Sequence, residues 1–66
     1  MNENVINHCI NEINHYFNIY RDTKTALFYS SKYLYDCFSY GIVTEKEYLY
    51  LKSYLKSKYL KIEKES

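Results

Sequence analysis

Apolar positions along this chain fall into three stretches with helical spacing. Val5, Ile6, Cys9, Ile10, Ile13, Tyr16, Phe17 and Tyr20 recur every three or four residues. That spacing lays one apolar stripe along five turns and predicts a helix over residues 2–20. Arg21-Asp22-Thr23 breaks the pattern, and Asp22 or Thr23 is placed to cap a second helix over 24–40. On that helix Leu27, Ser30, Leu34, Cys37 and Phe38 share a face, and Ser30 and Ser31 are small enough to let a neighbour come close. A third helix over 45–62 turns Tyr48, Leu51, Leu55, Tyr59 and Ile62 toward a core. It leaves Leu49 and Leu60 to one side and sets Tyr50 and Tyr54 on its back. The tail Glu63-Lys64-Glu65-Ser66 is expected to fray. Connections this short favour antiparallel neighbours. The reading is a single all-α domain over residues 1–66, a small three-helix bundle, with no strand, repeat or linker.

The join between the second and third helices carries the densest local information. Gly41, the only glycine, can adopt the left-handed backbone that closes a helix. Thr44 is a good N-cap, and Glu47 three residues on can reach back to the cap's own N–H. Val43 and Tyr48 flank the cap at the two positions that pack together as a hydrophobic staple. Stop, turn and restart are all written between Gly41 and Tyr48.

Composition changes this picture in two ways. A chain of 66 residues buries only about 60% of the surface its unfolded form exposes, so a bundle of this size is marginal and homodimerisation is an expected way to complete it. The chain also holds 10 Tyr and 3 Phe, more rings than one small core suits. The second helix is aromatic nearly all round, with Phe28 and Tyr35 on one outer patch and Tyr29, Tyr33 and Tyr40 on another. A helix of that kind is expected to be covered on more than one side. Proline is absent, glycine, alanine and arginine occur once each, and residues with A/T-rich codons dominate, which implies an AT-rich bacterial or phage genome.

The net charge of +1 argues against bulk attraction to nucleic acid or a membrane surface. No apolar run approaches the length of a membrane span, and no basic region leads an apolar one at the N-terminus as in a secretory signal. Cys9 and Cys37 fall on apolar stripes and read as buried free thiols, suited to a reducing cytoplasm.

Chemistry is thin. His8, Glu12 and His15 share an outer face of the first helix, but no fourth ligand accompanies them, so neither a metal nor a cofactor is expected. There is no Gly-rich phosphate loop and no nucleophile paired with a base, which argues against an enzyme. Two surfaces remain. Asn7, Asn11, Asn14 and Asn18 form a column at i, i+4, i+7 and i+11 although asparagine costs a helix roughly 0.5 kcal/mol relative to alanine. Either codon usage put them there, or their amides hydrogen-bond a partner. Together with Tyr29, Tyr35, Tyr50 and Tyr54 they make the candidate partner-binding set. The alternative is nucleic acid, met by Lys52, Lys56, Lys58 and Lys61 interleaved with tyrosines on the third helix.

From Leu27 to Leu60 the chain resembles the SHOCT (short C-terminal domain) family. Leu34, Gly41, Ile42, Val43, Thr44, Glu45, Glu47, Tyr48, Lys52 and Leu55 occupy the places of its pattern, while Lys46 stands where the family usually has another acid. The resemblance implies a helical hairpin that oligomerises or binds a partner, and it carries over no catalytic residue. The expected function is therefore non-enzymatic protein–protein contact. A phage or mobile-element product that self-associates and binds another protein, inhibiting or redirecting a host complex such as a defence nuclease in the manner of an anti-CRISPR protein, fits that expectation.

Overall fold

The computed structural model describes residues 1–65. It holds α1 (Glu3–Ile19), α2 (Thr23–Ser39) and α3 (Glu45–Glu65). Each helix touches the other two, in a rod of 34 × 16 × 16 Å. No strand occurs among the described residues.

Capping explains where the helices start and stop. The Asn2 side chain accepts from the backbone N–H of Asn4 at 3.0 Å and of Val5 at 3.3 Å, so Asn2 is the cap and α1 begins at Glu3, one residue after the expected start. Asp22 holds the N-cap position of α2, yet its carboxylate makes no capping bond. It accepts instead from the Thr25 hydroxyl at 2.7 Å, and this bond is the main reason its pKa is lowered. Gly41 takes φ +76°, and the paired bonds of a Schellman ending follow: Gly41 N–H to Phe38 O at 3.1 Å, Ile42 N–H to Cys37 O at 2.8 Å. A Cβ at Gly41 would touch nothing within 4 Å, so glycine is required there by backbone angle alone.

The capping box at Thr44 forms in full. Glu47 Oε1 accepts from the Thr44 N–H at 2.8 Å, and Thr44 Oγ1 accepts from the Glu47 N–H at 3.2 Å. The second carboxylate oxygen does something the local pattern does not reveal. Oε2 accepts from the Asn2 N–H at 2.8 Å, 45 residues away in sequence. One carboxylate, 4% exposed, thus closes the N-terminal ends of both α1 and α3. Both helix dipoles present their positive ends to it. Two backbone donors, first Thr44 and then Asn2, lower its pKa against the opposing effect of burial.

Around this joint the core closes with Ile6, Cys9 and Ile13 from α1, Leu34 and Cys37 from α2, and Leu51 and Leu55 from α3. Val43 at the turn is buried with them, and Tyr48 packs against the same cluster, the two arms of the expected staple. Ala26 and Ser30 have no exposed surface; their small size lets the α2 backbone approach its neighbours. The Ser30 hydroxyl has no hydrogen-bond partner among the described residues. Cys9 and Cys37 are free thiols that meet across α1 and α2; burial, then the neighbouring Cys37, pushes the Cys9 pKa up.

Three expectations need correction. Residues 63–65 continue α3 instead of fraying, and Tyr59 bonds the Glu63 carboxylate one turn on, which ties that last turn to the body of the helix. Ser66 lies outside the described residues. Tyr33 does not join an outer patch, because its ring packs on the core beside the two thiols and burial raises its pKa. Tyr54 is not on the back of α3 either; it packs against the core, toward α1.

Glu47 makes a pH prediction with a definite sign. Its folded pKa is depressed, so its contribution is present above the ordinary glutamate value of 4.5 and disappears as pH falls through the folded value. Thermal melts should be flat from neutrality down to about pH 5 and then decline. Glu47→Gln should melt lower at neutral pH and decline less steeply in acid. A variant whose melting curve follows the wild-type pH profile throughout would exclude Glu47 as the titrating group.

Candidate interaction surface

Two helices packed through one stripe each leave their next stripes facing outward, and here the outward stripes carry large apolar side chains. On α2, Leu34 is buried while Phe28, Ser31 and Tyr35, spaced i, i+3 and i+7, stay out. On α3, Leu51 and Leu55 are buried while Leu49, Lys52 and Lys56 stay out. The result is a trough of ≈ 690 Å³ between α2 and α3, floored by Leu27, Leu55 and Tyr48. Phe28 is 63% exposed, Tyr35 58% and Leu49 55%, large values for side chains of this kind. All three line the same trough, which gives it exposed apolar groups from both helices.

Charge along the trough has one sign. Lys32, Lys52 and Lys56 line it with Ser31 and Ser53, and no carboxylate does. The Lys52 ammonium lies 5.3 Å from the Tyr48 ring centroid, and Tyr48 stacks on Phe38 at 4.8 Å and 7°. That stack holds Lys52 at the rim. At the far end Tyr59 has its pKa raised, by burial and then by Glu63.

The candidate residues chosen from sequence separate into different places. Tyr35 lines the trough. Tyr29 is turned over the α1–α2 seam, stacked on Tyr20 at 4.9 Å and in edge contact with Phe28 at 5.2 Å. Tyr16 extends that ladder to Tyr20 at 6.2 Å and to Tyr33 at 6.0 Å. Tyr50 stays exposed beside Ile6, Asn7 and Ile10 in a smaller hollow between α1 and α3. The hydroxyl of Tyr54 donates to the amide oxygen of Asn14 at 3.4 Å, a long bond across the α1–α3 seam. Asn14 is accordingly half-buried, whereas Asn7, Asn11 and Asn18 are exposed.

The four candidate lysines of α3 do not share a face. Lys52 and Lys56 line the trough, Lys58 reaches over the Phe17 ring of α1 at 5.5 Å, and Lys61 is exposed outside the trough lining. Lys32, one turn from Phe28, joins the trough instead; sequence reasoning passed over it because it sits on a different helix from the other lysines. No group of three His, Cys, Asp or Glu side chains among the described residues is arranged to hold a metal ion. No helix is long and apolar enough to cross a membrane.

Comparison with protein-family models, curated proteins and solved structures finds no match for this chain. The likeness to the SHOCT pattern therefore rests on the residues of α2, the turn and α3 themselves.

An open trough separates two leucines only two residues apart, Leu49 and Leu51, by their exposure. Leu49→Asp should change unfolding free energy by no more than about 0.5 kcal/mol, as for an exposed surface site. Leu51→Ala should cost about 2–5 kcal/mol. That is comparable to the whole stability of so small a core, so the second variant should be largely unfolded in water. Urea denaturation followed by circular dichroism reads both. Equal damage from the two substitutions would mean that Leu49 is covered.

Proposed function

We propose that this chain works without catalysis, by holding another protein against the α2–α3 trough. The observation that carries the reading is that Phe28, Tyr35 and Leu49, all lining one trough, are left open to water. A stable monomer gains nothing from keeping such side chains in water, whereas an interface uses them as anchors. The SHOCT-like hairpin supports the same reading, since the trough lies between its two helices.

A short contact protein acts by occupying a surface of something larger. The AT-rich codon usage implied by the composition suits a phage or mobile-element product that blocks or redirects a host complex in this way. The free thiols of Cys9 and Cys37 suit the reducing cytoplasm such a role requires. Lys52 and Lys56 belong to the apolar trough and Lys58 to the Phe17 ring, so the lysines serve the protein surface better than a nucleic-acid track.

Site-specific photo-crosslinking tests the reading. A benzophenone amino acid replacing Leu49 should capture one discrete partner in lysate of the source organism, and the same probe replacing Asn11 on the opposite helix should not. The adduct should disappear when Phe28→Asp is added. Capture of the same species from both positions, or from neither, would overturn the trough as the working face.

A further inference from the structure

Resting on that reading, we infer that the occupant of the trough is an acidic amphipathic helix of another protein, roughly three turns long. Shape, charge and symmetry each narrow the choice. The trough runs between antiparallel helices, from Phe28 and Tyr59 at one end to Tyr35 and Tyr48 at the other. The span from Tyr48 to Tyr59 along α3 is about 16 Å at the helical rise. An apolar stripe at i, i+3 or i+4, i+7 and i+11 on a docked helix spans about the same length. The described residues around the trough are helical and offer no open sheet edge, so an extended peptide has no ladder to join.

Charge selects among helices. Lys32, Lys52 and Lys56 occupy the middle of the trough, and the carboxylates of α2 and α3 all lie outside its lining. None of these three lysines is held in an ion pair among the described residues. An apolar stripe flanked by Asp or Glu covers the rings and answers the ammonium groups together. A basic helix covers the rings and collides with the lysines.

Symmetry argues against a second copy of this chain. A twofold contact sets a patch against itself. With the three lysines at mid-trough, such a contact brings six ammonium groups together with no acid between them. Nucleic acid would answer the lysines and leave Phe28 and Leu49 uncovered.

Fluorescence anisotropy with four labelled probes tests this. They are a 14-residue Leu/Phe-striped peptide flanked by Glu, the same stripe flanked by Lys, a Glu-rich peptide with the stripe scrambled, and a single-stranded oligonucleotide. The striped acidic peptide should bind roughly tenfold or more tighter than the striped basic one, and the scrambled peptide and oligonucleotide should be weakest. Its binding should weaken as salt rises from roughly 50 to 500 mM. Lys32→Glu, Lys52→Glu and Lys56→Glu combined should reverse the preference for acidic over basic stripes, with circular dichroism confirming the fold. Leu49→Asp should remove binding of both.

Equal binding of the two striped peptides, lost with Leu49→Asp, would overturn the acidic partner while leaving the trough a docking face. Tighter binding of the oligonucleotide, or no binding by any striped peptide, would overturn the inference outright. So would a dimer in sedimentation that Leu49→Asp dissociates.

Discussion

The fold depends on one carboxylate. Glu47 accepts from Thr44 within its own helix start and from Asn2 at the start of the chain's first helix. A three-helix chain with short turns needs something to fix the first helix relative to the third, because no loop joins them. Apolar packing alone leaves two parallel helices free to slide by fractions of a turn. A buried carboxylate bonded to two backbone donors removes that freedom, since displacement in either direction leaves a charge without its donors. The aligned positive ends of α1 and α3 make the site favourable for an anion.

With that end fixed, the rest of the packing follows from size. The inner seam of three helices accommodates small and aliphatic side chains: Ile13, Leu34 and Leu51 fill it, and Ala26 and Ser30 let the backbones close. Rings do not fit there in number. Some find places by stacking over the seams, as Tyr16, Tyr20 and Tyr29 do between α1 and α2 and as Phe38 and Tyr48 do at the end of α2. Phe28 and Tyr35 line the trough between α2 and α3, and they remain open. The trough is what an aromatic α2 leaves behind once its best face is used.

The signals between Gly41 and Glu47 are legible in the sequence because their physics is local. Gly41, Thr44 and Glu47 act on backbone groups within a few residues, so their geometry is implied by spacing. The second half of Glu47's role, its bond to Asn2, depends on how helices distant in the chain align, and spacing carries no trace of it. The same limit explains Tyr54 and Tyr33. On a helix with two neighbours the buried arc is wider than one stripe, and which flank lies under the second neighbour depends on the rotation of the whole bundle. Tyr54 turned to α1 and Asn14, and Tyr33 to the thiols, for this reason. Phe28 and Tyr35 were legible as an outer patch because no arrangement of three short helices covers every side of α2. The lysine grouping was not legible, since it joins Lys32 of one helix to Lys52 and Lys56 of another.

The central claim is that the trough is open to water in the free chain while the adjoining core is closed. Solvent paramagnetic relaxation in a concentrated NMR sample measures this side chain by side chain. The account predicts that the Phe28 and Tyr35 ring protons and the Leu49 methyls relax strongly with added gadolinium chelate, while Leu34, Leu51 and Leu55 methyls do not. Protection of Phe28, Tyr35 and Leu49 to the level of Leu51 would contradict it, because the strip would then already be covered.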